Sequence, residues 1–107
     1  MKKVIVATLA CAMVGVWGSA LAAGDAAAGK TKSVPCSGCH GPDGNSTVPM
    51  YPRLAGQHVA YLESAMKAYK AGERTGGQTA TMKPMVANLS DQDIADLAAY
   101  FSSQPQK

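Results

Sequence analysis

The chain has 107 residues and a formal net charge of +3, which allows one domain at most. Its ten basic residues form no long run and do not interleave with aromatics, so nothing points to nucleic acid or to an anionic lipid surface. Part of the excess charge, moreover, belongs to the N-terminus alone.

That terminus reads as an export signal. Lys2 and Lys3 form a basic start, residues 4–17 an apolar stretch, and Ser19-Ala20-Leu21-Ala22 a small-x-small cleavage pattern. Cleavage after Ala22 divides the chain into a signal peptide, residues 1–22, and a domain, residues 23–107, delivered to the periplasm. Residues 4–24 are uncharged and long enough to span a bilayer, so a retained anchor is the competing reading. The small residues at the end of the segment and the lack of a basic stop favour cleavage. A lipoprotein cut before Cys11 would leave a very short apolar region and is weaker still. Cleavage removes Cys11, Lys2 and Lys3, leaving one pair of cysteines and eight basic residues against seven acidic ones. Five aromatics remain, a small endowment for a domain of this size, which commonly needs a disulfide, a metal or a cofactor to complete its core.

The first helix is predicted from about residue 25, with Asp25 as N-cap, to about residue 34, where Pro35 ends or kinks it. Cys36-Ser37-Gly38-Cys39-His40 follows. Two thiols three residues apart can add to the two vinyl groups of a haem, and the adjoining imidazole can then ligate iron. Cys36 and Cys39 are therefore the predicted attachment points and His40 the proximal ligand. A thioredoxin-like dithiol would need a strand-helix-strand unit that this sequence lacks. Zinc is disfavoured because His58 is too far from Cys39 and His40 to match the usual ligand spacing.

Residues 41–53 form a long loop. Its turn chemistry is Gly41-Pro42-Asp43-Gly44-Asn45, and Asn45-Ser46-Thr47 matches a glycosylation sequon read here as loop only. A buried imidazole ligand needs its second nitrogen hydrogen-bonded. The carbonyl of Pro49 is the candidate partner, with Pro52 as the alternative. The second helix starts after Leu54-Ala55-Gly56, puts Val59, Leu62, Met66 and Tyr69 on one face, and stops at Ala71 and Gly72.

A second loop, residues 73–89, contains Met82 and Met85, either of which could be the sixth ligand. Met66 reads as core and Met50 lies too close to His40 in the chain. His58 would give bis-histidine ligation but reads as an exposed helix-start residue. Arg74 could meet a haem propionate, with a solvated arginine as the plainer reading. The third helix is the clearest: Ser90 and Asp93 form an acidic capping box, followed by Ile94, Leu97, Ala98 and Phe101 on one face.

Taken together, the haem signature, Gly41-Pro42-Asp43-Gly44-Asn45-Ser46, Pro52-Arg53-Leu54-Ala55-Gly56-Gln57 with Tyr61, Leu89 through Ile94, and Ala99-Tyr100-Phe101-Ser102-Ser103-Gln104 resemble class I cytochromes c. The similarity is greatest to one haem domain of the dihaem cytochrome c4 group and its single-haem c553-like relatives. The resemblance implies an all-α fold of three main helices with long loops wrapped around one covalently attached haem c. It implies that the first and last helices cross, with Gly29 allowing close approach near Tyr100. It places the axial methionine eight residues before the capping serine, at Met82, with Met85 as a second, non-ligating methionine, and it favours Pro49 as the partner of His40. A c4 chain repeats this domain and this sequence holds one copy, so any role of a second haem would fall to another subunit or partner, or be absent.

The expected function is a periplasmic carrier that moves one electron between redox proteins by transient docking, as a monomer or weak dimer, and meets membranes only through partner complexes. A mature charge near zero implies weak electrostatic steering. The rival is a haem enzyme or sensor with an open or labile sixth site, and a third reading is the haem subunit of a fixed complex.

Overall fold

A computed structural model describes residues 23–107. The signal-peptide, anchor and lipoprotein readings fall on segments almost wholly outside the described residues. Among the described residues the regular structure is entirely helical: α1 (Ala26–Lys32), a 3-10 turn (Val34–Cys36), α2 (Ser37–His40), α3 (Val59–Ala71), α4 (Thr79–Val86) and α5 (Asp91–Ser102). No helix among them is long and apolar enough to cross a membrane.

Asp25 caps α1, its side chain accepting from the backbone N–H groups of Ala27 at 2.9 Å and Ala28 at 3.3 Å. The predicted single helix gives way after Lys32 to the 3-10 turn. Pro35 has no N–H to continue an α-helical ladder and biases Val34 away from α geometry, so the tighter turn carries the chain to Cys36. Helix α3 ends where Gly72 takes φ 73°, and Glu73 N–H reaches Ala68 O at 2.9 Å in a Schellman-type close. At α5 the capping box is reciprocal: Asp93 N–H donates to Ser90 Oγ at 3.0 Å and Ser90 N–H to Asp93 Oδ2 at 2.9 Å.

One expectation needs correction. Residues 73–89 are not loop throughout, because α4 occupies their second half. Pro84 sits inside it, and the loss of one N–H near the end of a short helix is tolerated even though it reads as a breaker in the sequence.

Helix α5 is buried over most of its circumference, with α1 on one side and α3 on another, while α4 packs on α3. Leu62, Leu97, Ala98, Tyr100 and Phe101 form the core, and Cys36, Leu54, Met66 and Leu89 pack against it. The α1–α5 crossing is close because Gly29 has no side chain. A Cβ there would lie 2.0 Å from Asp96 O and 2.7 Å from Tyr100 Cβ.

The same crossing carries a buried carboxylate. Asp96 is only 3% exposed and accepts from Asp25 N–H at 2.8 Å, Lys32 Nζ at 2.6 Å and Gln92 Nε2 at 2.9 Å. Lys32 also meets Asp93 at 2.8 Å. Backbone donation from Asp25, then Lys32 and Gln92, holds the Asp96 carboxyl down at about 2. Lys32 and the Ser90 cap hold Asp93 at about 2 as well. Carboxyls whose folded pKa lies below the unfolded one bind fewer protons when folded, so their stabilisation is complete above about pH 4. It is lost as pH falls through about 2. The melting temperature is accordingly expected to drop between about pH 4 and pH 2, and Asp96→Asn to flatten part of that drop. Thermal melts of the two proteins across this range check it, and identical slopes would contradict it.

Candidate haem site

Cys36 ends the 3-10 turn while Cys39 and His40 belong to α2, so the change of helix type delivers all three within one compact turn. Both thiols are partly buried and neither is in a disulfide. Burial pushes the Cys36 thiol up, with the neighbouring Cys39 adding to the effect. Gly41, at φ 83°, ends α2 and turns the chain into the following loop.

His40 is 6% exposed. Its Nδ1 lies 2.8 Å from the carbonyl oxygen of Pro52. A carbonyl can only accept, so Nδ1 carries the proton and Nε2 keeps its lone pair for a metal. The expected partner, Pro49, is not the one used. Val48 O accepts from Tyr51 N–H at 3.0 Å, which makes Pro49 the second residue of a β-turn, the position proline's fixed φ suits. The chain comes back beneath the imidazole only after that turn, at Pro52. Tyr51 then stands edge-on to the His40 ring, with centroids 6.5 Å apart at 61°.

The loop is braced from several sides. Gly44 O accepts from Leu54 N–H at 2.8 Å and Ala55 N–H at 3.2 Å. Gly44 has φ 80°, and a Cβ there would meet Ala55 N at 2.7 Å and Phe101 Cδ1 at 2.8 Å. Tyr100 Oη donates to Pro42 O at 2.6 Å, tying α5 to the start of the loop. Asn45, the sequon residue, is occupied structurally: Nδ2 donates to Pro105 O at 3.0 Å and Oδ1 accepts from Lys107 N–H at 2.9 Å. Asp43 pairs with Lys107 at 2.9 Å, which, with the Asn45 backbone, holds its carboxyl at about 2.

The methionines separate by environment. Met66 packs against the core, Met50 is 57% exposed and Met85 is 45% exposed. Met82 alone of the four is partly buried without belonging to the core cluster, on the helix that α3 supports. His58 is exposed just before α3 and caps nothing with its side chain. The Arg74 guanidinium lies over the Tyr69 ring, 4.5 Å from its centroid.

Among the described residues no three His, Cys, Asp or Glu side chains converge as a metal-ion ligand set, so the zinc reading finds no coordination sphere. A haem fits the donors instead: two free thiols, and an imidazole whose tautomer leaves Nε2 available. Pro52 and the Asp96 network were the least visible parts in sequence. Pro52 is one of two prolines with no local pattern to separate them, and the sequence reading did not single out Asp96.

Comparison with known proteins agrees with this chemistry. Residues 22–105 match the profile of the Cytochrome c family. The chain is 58% identical over 82 residues to cytochrome c-554(548) of Halomonas halodenitrificans, covering 77% of this chain and 99% of that protein. It is 50% identical over 110 residues to cytochrome c4 of Azotobacter vinelandii, covering 97% of this chain and 51% of its relative. The crystal structure of reduced cytochrome c4 from Pseudomonas stutzeri superposes with a TM-score of 0.70 at 46% identity, over 79% of this chain and 48% of that one. The chain thus spans nearly all of the first relative and about half the length of the two c4 proteins. It belongs to the cytochrome c family, has the class I all-helical fold, and is an electron-transfer protein with a covalently attached haem c; Cys36 and Cys39 stand with His40 in a Cys-x-x-Cys-His motif.

Proposed function

We propose that the domain is a periplasmic monohaem carrier in which His40 and Met82 bind iron from opposite sides. The haem supplies a one-electron couple. The protein's part is to keep both donors in place in either oxidation state, so that an electron moves with little rearrangement. The observation that carries this reading is the His40–Pro52 hydrogen bond, which fixes the imidazole in the ligating tautomer inside a braced loop. Met82 is supported by its half-buried place on α4, which is packed on α3, against the exposed Met85 and the core-bound Met66. The partners are redox proteins that dock transiently, and the location follows from the export signal read at residues 1–22.

A carrier closed on both sides differs from an enzyme or gas sensor in one accessible property. Carbon monoxide added to the reduced protein at neutral pH is expected to bind negligibly over minutes, because the methionine sulfur already holds the sixth position. Rapid conversion to a carbon monoxide adduct would overturn the carrier in favour of an open-site haem protein.

A further inference from the structure

We infer that Ser46 is a positioning residue for the proximal histidine, setting the strength of the His40–Pro52 hydrogen bond and through it the reduction potential. The Ser46 hydroxyl has one proton to give, and of the two carbonyls within reach Tyr51 O is nearer than Val48 O, which is 3.3 Å away. The Tyr51 carbonyl belongs to the peptide group that enters Pro52. Proline's ring fixes the torsion after that peptide bond, so once the peptide plane is anchored only the ψ angle of Pro52 is left to aim its carbonyl. That remaining freedom is restrained from the far side, where Leu54 N–H is held on Gly44 O at 2.8 Å. Ser46 and Gly44 therefore grip the segment on either side of the one carbonyl that accepts from His40. Val48 O and Tyr51 N–H pair at 3.0 Å, so the intervening turn adds little slack.

The electronic consequence has a definite sign. Donation from Nδ1–H to a well-aimed carbonyl makes the imidazole a stronger donor at Nε2, which favours ferric over ferrous iron. Loss of the Ser46 anchor loosens the carbonyl, weakens that donation and raises the potential. This inference rests on His40 being an iron ligand.

Four holoproteins test it: wild type, Ser46→Ala, and the near-isosteric pair Ser46→Thr and Ser46→Val, compared as one set by redox titration and by NMR of the His40 Nδ1 proton. The expected result is unchanged ligation in all. Alanine and valine should shift the potential upward, enough to change the ferric-to-ferrous ratio severalfold at the wild-type midpoint. They should also speed exchange of the Nδ1 proton severalfold, and threonine should restore wild-type values. If Ser46→Ala folds poorly, the threonine and valine pair carries the comparison, since the two differ in the hydroxyl at nearly equal volume. Lower thermal stability with potential and proton exchange unmoved would make Ser46 a loop brace only and overturn the inference. A wild-type protein whose NMR spectrum shows no iron-bound His40 would overturn the ligation reading itself, and this inference with it.

Discussion

Gly29→Ala is expected to lower the melting temperature of the holoprotein by about 10 to 20 °C, corresponding to roughly 2–3 kcal/mol in a domain of this size. Two effects compete. Alanine is the better helix former and would contribute about 1 kcal/mol in an unobstructed helix. Its Cβ, however, would stand 2.0 Å from the carbonyl oxygen of Asp96 and 2.7 Å from Tyr100 Cβ. A backbone carbonyl cannot swing away as the end of a side chain can, so α1 and α5 must separate. Separation disturbs the donors converging on Asp96 from Asp25 and Lys32, and the Tyr100 hydroxyl that holds Pro42. The clash therefore outweighs the propensity gain. Circular dichroism melts of the two holoproteins measure the outcome, and a melting temperature within about 3 °C of wild type would show that the crossing yields easily.

Met82→Ala is expected to keep its covalent haem while losing the sulfur ligand. The proposed attachment residues, Cys36 and Cys39, lie outside α4, so the amount of haem per chain should match wild type. Replacing a weak, soft sulfur donor by water or a stray nitrogen lowers the potential, on the order of a few tenths of a volt within the ~0.8 V range that axial ligands command. Met85→Ala should leave both the potential and the ligand spectrum in place, because Met85 is 45% exposed and belongs to no core cluster. Redox titration of the two variants separates them. The reverse pattern would transfer the ligand role to Met85 and revise the reading of α4.

The features most legible in the sequence were those with local causes. The capping box at Ser90, the glycine stop at Gly72 and the Cys36-to-His40 motif each depend on residues a few positions apart, and each is present in the structure as read. Helix α4 was missed because its two signals conflict: Gly76, Gly77 and Pro84 announce a loop, while packing against α3 supplies the stability that local propensity does not. Choosing between Pro49 and Pro52 required knowing where the chain turns. That is decided by the Val48–Tyr51 hydrogen bond and by Ser46, contacts within the loop that no periodic pattern encodes. The close α1–α5 approach at Gly29 followed from the family resemblance. The buried Asp96 beneath it did not, since its donors come from both helices and from the cap of α1.

The visible absorption spectrum of the purified, oxidised wild-type protein tests the central claim most directly. His40 and Met82 as axial pair predict the weak long-wavelength band of methionine sulfur on ferric haem. Covalently bound haem with that band absent would contradict the assignment and leave His40 opposite another histidine, or an open position, at the iron.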